Sequence, residues 1–354
     1  MKQTLDHEEV TVRRGPRSGL TLVVALHSRA LGPAVGGCRM RRYDTWRDGL
    51  TDALRLSEAM TAKCAASGLD FGGGKSVIVL GPDTDPTPEL RAAALTDLGE
   101  IVSSFDGTYF TGPDIGTGPA DMVTLRRTTP YVFCLPEEHG GTGDSGIPTA
   151  AGVLAALRAG AEHVFGTGSP AGRTVVVSGY GSVGARVAAG LAADGARVLV
   201  SDVDGAKREA VRRAGLGWVE PGEALGTPAD ILVPAAVGGV LSPGTASRLH
   251  VRLVVGPANN QLTDDRVADA LADRGVVWIP DFVASAGGVV HTLSREVDGL
   301  TDRAAADRVE GIADTVRLLL GAAAENGTTP LREARRRVAE RLAEAADRAP
   351  VPAM

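Results

Sequence analysis

The sequence has few cysteines, few aromatic residues and no long hydrophobic run. Its 354 residues contain three widely spaced cysteines without a Cys-x-x-Cys pair, and the six histidines show no His-x-x-x-His spacing. These patterns exclude a disulfide framework and predict no metal site. Each of Cys38, Cys64 and Cys134 is expected to be a small buried apolar residue. No apolar stretch approaches the roughly 18 residues of a membrane-spanning helix, so we expect a cytoplasmic protein.

The charge balance excludes two further kinds of partner. The formal net charge is -6, so the protein has no general basic field that would attract nucleic acid or an anionic membrane surface. Hydrophobic residues make up 44% of the chain but aromatic residues only 4%, which predicts cores packed mostly with valine, alanine and leucine. The chain is long enough for two such cores, and two domains are expected.

A glycine-rich stretch ending in lysine, Gly72 to Lys75, stands out in the first half. We predict a turn there, between a helix whose apolar stripe ends near Lys63 and a strand from Ser76 to Leu80. Together with Asp114, the two lysines indicate a site that binds an anion and moves protons. A phosphate-binding P-loop is a poor alternative, because Leu69 stands where its first glycine is needed and the order is helix, loop, strand.

The rest of the chain divides near a run of small and polar residues, 139–146, which suits neither helix nor strand. We predict a substrate and catalytic domain over residues 1–138, a dinucleotide domain over 139–328, and a terminal helix over 329–348 that packs back on the first domain. Other predicted elements are a strand at Leu20–Leu26, a turn at Gly32–Gly37, a helix at Pro88–Ser103, a strand around Tyr109, and helices at Arg303–Ala324 and Leu331–Asp347.

The second half alternates short valine-rich runs with helical segments, which indicates a parallel sheet covered on both faces. Gly179-Tyr180-Gly181-Ser182-Val183-Gly184 matches G-x-G-x-x-G, follows the strand Val175–Val177 and opens the apolar helix Ala185–Ala193. Asp202 follows the next strand at the spacing of the dinucleotide-binding (Rossmann) fold. This context predicts a dinucleotide site whose pyrophosphate lies at the start of the helix.

The residues after the second strand indicate which dinucleotide binds. Asp202 would accept hydrogen bonds from the ribose hydroxyls and repel a 2′-phosphate, and Val203 and Asp204 follow it instead of an arginine. NAD is therefore favoured over NADP. Ligands in such sheets bind beyond the carboxyl ends of the strands. We expect the nicotinamide side to be lined by Ala235, Ala236, Ala258, Asn259 and Asn260.

Several longer motifs together resemble a known family. They are Leu31 to Met40 (LGPAVGGCRM), Met60 to Lys63 (MTAK), Gly68 to Lys75 (GLDFGGGK), Thr111 to Thr117 (TGPDIGT), Ala258 to Leu262 (ANNQL) and Pro280 to Gly288 (PDFVASAGG). With the dinucleotide motif they follow the order found in the glutamate, leucine, phenylalanine and valine dehydrogenases, and are closest in look to the phenylalanine, valine and leucine enzymes.

This resemblance implies a two-domain α/β protein, with an N-terminal substrate and oligomerisation domain separated by a cleft from a C-terminal Rossmann domain. It also implies a homo-oligomer and the reversible, NAD-linked oxidative deamination of an amino acid to its 2-oxo acid and ammonia.

The family pattern also implies roles for individual residues. Lys63 binds the substrate carboxylate, helped by the backbone at Gly36-Gly37 and the amide of Asn260. Lys75 activates the water that attacks the imine carbon, so its pKa must lie well below the usual value of about 10.4. Asp114 exchanges a proton with the substrate nitrogen. Thr149 matches a nicotinamide contact.

The substrate side chain is expected to be hydrophobic. Val35 stands where glutamate-specific relatives carry a lysine, and the other walls of the implied pocket are Gly112, Val289 and Thr292. Gly112 replaces the alanine of leucine and valine enzymes and would leave more room, which favours phenylalanine or another aromatic substrate before leucine or valine. The hydroxyl of Thr292 leaves open a pocket that tolerates a polar group.

Two other functions remain open from the sequence. A dehydrogenase of a 2-hydroxy acid would share the nucleotide half but use a His and Arg pair, and no such pair stands out. A non-catalytic NAD-binding regulatory protein would be expected to have lost Lys63, Lys75 or Asp114, and all three are present.

Overall fold

The computed structural model describes residues 5–347, which divide into two compact units. The first unit holds residues 5–144, the segment Thr292–Leu300 and residues 338–347; the second holds Ser145–His291 and Thr301–Arg337. The predicted limits of 1–138 and 139–328 differ from this division at residues 139–144 and Thr292–Leu300, which belong to the first unit. They also differ at residues 329–337, the start of the terminal helix predicted to pack on the first domain, which belong to the second unit. Residue 348, the predicted end of the terminal helix, lies outside the described residues. Among residues 5–347 no helix is long and apolar enough to cross a membrane.

The first unit is built on a five-stranded mixed sheet. Its strands are β1 (Glu9–Arg14), β2 (Thr21–Ser28), β3 (Ala34–Arg42), β4 (Gly72–Leu80) and β5 (Tyr109–Pro113), and its helices include α1 (Trp46–Ala66), α2 (Pro88–Ser103) and α3 (Pro119–Arg126). The strand order is β1-β2-β4-β3-β5, with antiparallel pairs from β1 to β4 and parallel pairs from β4 to β5. The parallel part of this sheet carries the site described below.

The predicted turn at Gly72–Lys75 is wrong, because these residues form the start of the buried strand β4. Their glycines are explained by close packing: a Cβ on Gly73 would lie 2.1 Å from the backbone nitrogen of Thr61 in α1, and one on Gly74 would lie 2.6 Å from the ring of Tyr109. The turn predicted at Gly32–Gly37 is wrong from Ala34 onward, where β3 begins. Glycine weakens the interior of a strand and often marks a site where another group approaches closely. Here helix α1 approaches Gly73 and the ring of Tyr109 approaches Gly74.

The helices of the first unit follow their sequence signals. Thr45 caps α1 and forms a capping box with Asp48, and Lys63 lies in the last turn as predicted. The helix predicted from Pro88 is confirmed as α2, with Thr87 as its N-cap and proline in the first turn. These signals are local, so the sequence alone shows them.

The second unit is built on a six-stranded parallel sheet with helices α4 to α13. Its strands are β6 (Thr174–Ser178), β7 (Arg197–Ser201), β8 (Gly217–Trp218), β9 (Ile231–Pro234), β10 (Leu253–Val254) and β11 (Val277–Trp278). Its helices are α4 (Gly146–Phe165), α5 (Ser182–Ala193), α6 (Arg208–Arg213), α7 (Pro243–Ala246), α8 (Arg266–Asp273), α9 (Asp281–Ala284), α10 (Gly287–Glu296), α11 (Asp302–Glu310), α12 (Ile312–Asn326) and α13 (Pro330–Ala346). Helices α10 and α13 begin in this unit and end in residues of the first.

The order of the parallel strands identifies the nucleotide-binding topology. It is β11-β10-β9-β6-β7-β8, which is the Rossmann order when the strands are counted from β6. This confirms the predicted α/β class with a Rossmann domain. The two-residue strand β8 was not predicted, and the helix predicted over Arg303–Ala324 is divided into α11 and α12 at Gly311.

Candidate active site

The side chains of Lys75 and Asp114 meet at the parallel edge of the first sheet. Lys75 projects from β4 and is 5% exposed, and Asp114 directly follows β5. The ammonium Nζ lies 2.7 Å from Oδ2 of the carboxylate. The structure therefore brings the two predicted catalytic residues into direct contact, although they are 39 positions apart in the sequence.

Arg39 is a third charged group in this cluster, and it was not predicted as a site residue. It lies on β3, and its Nε donates to the same Oδ2 of Asp114 over 2.7 Å. Burial alone would raise the pKa of Asp114, but the two cations outweigh burial and lower the pKa to about 2. Side chains at i and i+2 of a strand share a face. Arg39 could therefore have been found from its spacing of two residues after Gly37.

Burial has the opposite effect on Lys75, because it disfavours the charged ammonium and lowers the pKa. Asp114 opposes this shift by favouring the ammonium, and Arg39 adds to it by repulsion, so the net direction is downward. A lysine in such a place reaches its neutral form at a lower pH than a lysine in water does. That property is what a lysine base requires.

Gly37 lies between the two catalytic candidates and has no space for a side chain. A Cβ there would lie 2.7 Å from Cβ of Asp114 and 3.0 Å from Nζ of Lys75. Its neighbour Gly36 allows β3 and β4 to approach closely, since a Cβ there would lie 1.8 Å from the carbonyl oxygen of Gly74. Both glycines are needed for this arrangement of β3, β4 and the carboxylate.

The loop that carries Asp114 is fixed by several hydrogen bonds. The backbone N–H of Asp114 donates to Oγ1 of Thr117, and that hydroxyl donates to the carbonyl of Cys38. Gly116 has a φ of +82°, and a Cβ there would meet the carbonyl oxygen of Met40. These contacts hold the loop and its carboxylate against β3.

Two predicted carboxylate-binding residues lie on different elements. Lys63 is half-buried in the last turn of α1. Asn260 follows β10 in the second unit, is exposed, and has a left-handed φ of +53°. Its loop is fixed by the buried Gln261, whose side-chain amide donates to the carbonyls of Gly256 and Ala258. Gln261 was quoted in a motif but its anchoring role was not predicted.

Phe133 fills the space beside Gly112, which corrects the expectation that this glycine leaves room. A Cβ on Gly112 would lie 2.2 Å from Cε2 of the Phe133 ring. Gly112 pairs with Gly37 in the parallel register of β3 and β5, so both glycines face the same side of the sheet. An aromatic ring thus occupies the space that a side chain on residue 112 would need, on the face of the sheet that carries Lys75. A contact between residues 21 positions apart in the sequence has no local signal.

Thr292 is 1% exposed, and its hydroxyl is already engaged. The thiol of Cys134 donates to Thr292 Oγ1 over 3.5 Å, and Thr292 Oγ1 lies 3.1 Å from Thr142 Oγ1. Since Thr142 Oγ1 donates its only hydrogen to Glu296 Oε1, Thr292 donates to Thr142. The single hydrogen of Thr292 is therefore not available to a polar substrate group.

The other two predicted walls differ in burial. Val35 is fully buried on β3, whereas Val289 is half-buried on α10 in the second unit.

The dinucleotide motif adopts the expected geometry between β6 and α5. Gly179 has a φ of +119°, and a Cβ there would lie 2.6 Å from the backbone nitrogen of Ala236. A Cβ on Gly184 would lie 2.1 Å from the carbonyl oxygen of Gly179, whereas one on Gly181 would meet no atom within 4 Å. Gly181 also precedes α5 without a side-chain cap. The turn thus combines tight packing at two glycines with open space for a phosphate at the third.

Asp202 lies beyond the end of β7 next to this turn. Its Oδ2 accepts the backbone N–H of Tyr180 at 2.7 Å, and its Oδ1 accepts that of Asp204 at 2.9 Å. Lys207 Nζ, which was not predicted as a site residue, lies 3.0 Å from Oδ2. Burial would raise the pKa of Asp202, but the backbone donors and Lys207 outweigh it and lower the pKa. The carboxylate is therefore ionised and fixed beside the glycine turn.

The remaining predicted cofactor residues lie at strand ends or at a helix start. Ala235 and Ala236 follow β9, Ala258 and Asn259 follow β10, and Val203 is exposed directly after Asp202. Thr149 lies in the first turn of α4, where its hydroxyl donates to the carbonyl of Ser145. A Cβ on Gly288 would lie 2.5 Å from that hydroxyl, so Gly288 allows α10 to begin close to Thr149.

The cysteines have the predicted structural character. All three are buried and carry free thiols, and burial raises their pKa values, to about 12 for Cys38 and Cys64 and about 11 for Cys134. A thiol with so high a pKa is not a thiolate nucleophile at neutral pH. Within residues 5–347, no group of three or more His, Cys, Asp or Glu residues is placed to hold a metal ion.

Comparisons with known proteins identify the family of the chain. Residues 7–131 match the family model described as "Glu/Leu/Phe/Val dehydrogenase, dimerisation domain", and residues 210–345 match "Glutamate/Leucine/Phenylalanine/Valine dehydrogenase". A phenylalanine dehydrogenase of Caldalkalibacillus thermarum is 40% identical, covering 96% of this chain and 92% of its own. A valine dehydrogenase of Streptomyces coelicolor is 38% identical, covering 97% and 94%. The crystal structure of an L-tryptophan dehydrogenase from Nostoc punctiforme is similar with a TM-score of 0.82 and 32% identity, covering 97% and 98%.

Proposed function

Since the chain belongs to the glutamate, leucine, phenylalanine and valine dehydrogenase family, we propose that it catalyses the NAD-dependent oxidative deamination of an aromatic L-amino acid. It is an oxidoreductase of the CH–NH₂ group that deaminates hydrophobic amino acids with a nicotinamide cofactor. The proposal adds that the cofactor is NAD and that phenylalanine or another aromatic amino acid is preferred to leucine and valine. The products are the 2-oxo acid, ammonia and NADH, and the reverse reaction is reductive amination.

The contact between the buried Lys75 and the half-buried Asp114 is the observation that carries this proposal. A bound nicotinamide would accept a hydride from Cα of the neutral substrate amine, which leaves an iminium ion. Lys75 in its neutral form accepts a proton from the water that attacks the imine carbon, and Asp114 exchanges a proton with the nitrogen that leaves as ammonia. The lowered pKa of Lys75 supports the first role, and the 2.7 Å contact supports proton exchange between the two.

The substrate carboxylate requires a fixed cation and backbone donors nearby. Lys63 supplies the cation in this proposal, with Gly36, Gly37 and the amide of Asn260 as orienting groups. The half-buried position of Lys63 at the end of α1 supports this role.

The choice of NAD rests on Asp202. An ionised carboxylate accepts from the 2′- and 3′-hydroxyls of the ribose and repels a 2′-phosphate. Lys207 partly offsets that repulsion, but the backbone donors from Tyr180 and Asp204 hold Asp202 in its ionised form. Thr149, Ala235, Ala236, Ala258 and Asn259 complete the proposed cofactor contacts.

The preference for an aromatic side chain rests on the character of the proposed pocket residues. Val35 supplies no cation for an acidic side chain, and the hydrogen of the Thr292 hydroxyl is committed to Thr142. Gly112, Val289 and the ring of Phe133 are apolar. Aromatic rings pack favourably edge to face on one another, so Phe133 favours a substrate with a ring of its own.

The assembly and location are part of the same proposal. The first family model is described as a dimerisation domain, which supports a homo-oligomer formed through the first unit. A cytoplasmic location is proposed as well.

A direct assay tests this function. NADH formation is measured with a panel of L-amino acids, with NADP in place of NAD as a control for cofactor choice. Lys75→Ala is expected to lower turnover by about 10²- to 10⁴-fold, the usual range for loss of a general base. Arg42→Ala, at the exposed end of β3, is the matched control and is expected to retain activity. Undiminished turnover in Lys75→Ala would refute the assignment of the base.

A further inference from the structure

Arg39 links the Asp114 carboxylate to a second carboxylate on α1. Its Nε donates to Asp114 Oδ2 and its Nη1 donates to Asp52 Oδ2, each over 2.7 Å. The side chain is 9% exposed. Buried arginines use their planar fork to join two carboxylates in a fixed geometry, which a lysine cannot reproduce.

The second carboxylate is itself held in place. Asp52 Oδ2 accepts the hydroxyl of Tyr43 at 2.7 Å, and its Oδ1 accepts Nη2 of Arg55 at 2.9 Å. Arg39 is therefore anchored at one end on α1 and presents its other end to Asp114. All of these hydrogen bonds form with Arg39 and Arg55 charged and with Asp52 and Asp114 ionised, so the anchoring of Arg39 involves no proton transfer.

The charge count explains why a second cation is useful at Asp114. Lys75 and Arg39 share one carboxylate oxygen. When Lys75 gives up its proton, Asp114 keeps Arg39 as a counter-ion. Without Arg39, the ammonium of Lys75 would be the only cation paired with Asp114 among the contacts described here, and the ion pair would hold its proton.

We propose that Arg39 is a positioning residue that keeps Asp114 ionised and compensated, so that Lys75 can release its proton and act as a base. This inference rests on the proposed function, because it concerns the protonation of the proposed base. The charged and titratable groups around Lys75 agree with it. Asp114 favours the ammonium, Arg39 opposes it, and the Cys38 thiol on the same strand is neutral, its pKa raised by burial to about 12. Lys63 on α1 is the further cation of the proposed site.

The test is the pH dependence of kcat/KM in Arg39 variants. The rate should rise with pH as Lys75 loses its proton. Removing a neighbouring cation raises the pKa of a lysine, so Arg39→Met is expected to move the midpoint of this rise upward by about one unit. Well below the midpoint, that shift corresponds to about a tenfold loss of kcat/KM. Arg39→Lys keeps a positive charge but loses the fork, and a smaller shift in the same direction is expected.

The control and the contrary outcome are specific to this inference. Arg42→Met removes an arginine from the exposed end of the same strand, where it pairs with Asp85, and should leave the midpoint unchanged. If Arg39→Met does not fold, as judged by circular dichroism, Arg39→Gln and Arg39→Lys take its place. A folded, active Arg39 variant series with the wild-type midpoint would overturn the inference, even if its overall rate were lower. An inactive wild-type protein would instead overturn the proposed function.

Discussion

The ring of Phe133 occupies the place of a side chain on Gly112, at 2.2 Å from where a Cβ would stand. We therefore expect Gly112→Ala to force the ring or the strand to move, at a cost of about 1–3 kcal/mol in the free energy of unfolding, as is usual for overpacking. It should also lower kcat/KM for L-phenylalanine. Thermal unfolding and initial rates measure the two effects.

The double variant Gly112→Ala/Phe133→Ala tests the cause. The three atoms nearest to the added methyl group all belong to the Phe133 ring. In the Phe133→Ala background, Gly112→Ala should therefore cost much less stability than it does in the wild type. Phe133→Ala alone opens space on the face that carries Lys75, and should raise the ratio of kcat/KM for L-tryptophan to that for L-phenylalanine. Additive effects of the two substitutions on stability would show that the ring is not the cause of the loss in Gly112→Ala. An unchanged ratio of kcat/KM values would show that the ring is remote from the substrate.

The position of Gly37 predicts that adding a single methyl group to this residue lowers activity. A Cβ there would stand 2.7 Å from Cβ of Asp114 and 3.0 Å from Nζ of Lys75. The Cβ of Asp114 is attached to the backbone and cannot move aside by a side-chain rotation. We expect Gly37→Ala to lower kcat by at least about tenfold, since misplacement of catalytic groups by about 1 Å can cost 10²-fold. Gly118→Ala is the control, because a Cβ on Gly118 meets no atom within 4 Å. Equal kcat values in the two variants would contradict this prediction.

The parts of the fold that sequence predicted are those with local signals. Pro88 at the start of α2 and the glycines from Gly179 to Gly184 each act on their own segment, and both elements were located correctly. The glycines of β4 misled the prediction because their reason is remote. Gly73 makes room for Thr61 on α1 and Gly74 for the ring of Tyr109, and neither contact can be read from a glycine run.

The same distinction applies to the candidate site. Lys75, Asp114 and Arg39 all lie in recognisable motifs, but the role of Arg39 depends on a contact with a loop 75 positions later. Lys207 reaches Asp202 only because the chain turns back after β7. The spacing after Gly37 gives the face of β3 on which Arg39 lies, but the carboxylate that each cation pairs with is known only from the structure.

Asp202 and Lys207 predict how cofactor choice changes by mutation. Asp202→Ala removes the acceptor of the ribose hydroxyls and the repulsion of a 2′-phosphate, but leaves Lys207, whose Nζ lies 3.0 Å from the carboxylate, in place. We expect KM for NAD to rise by about 10- to 100-fold, since hydrogen bonds to charged groups contribute about 1.5–3 kcal/mol. Activity with NADP should rise at the same time. Asp202→Ala/Lys207→Ala is the matched control and should lose the gain with NADP; if it keeps that gain, Lys207 has no part in it.

The ionisation of Asp114 predicts a contribution to stability that disappears in acid. Its pKa is about 2 in the folded protein against 3.8 for the ordinary group. A carboxyl with a depressed pKa contributes stability that is fully present above the unfolded value and is lost as the pH falls through the folded value. The difference corresponds to about 2 kcal/mol. We therefore expect the difference in the free energy of unfolding between the wild type and Asp114→Asn to shrink by up to that amount as the pH falls from about 5 toward 2.

Chemical denaturation at several pH values measures this difference. Asp85→Asn, at an exposed aspartate, is the control. A gap that stays constant over this range would mean that Lys75 and Arg39 do not hold Asp114 in its ionised form.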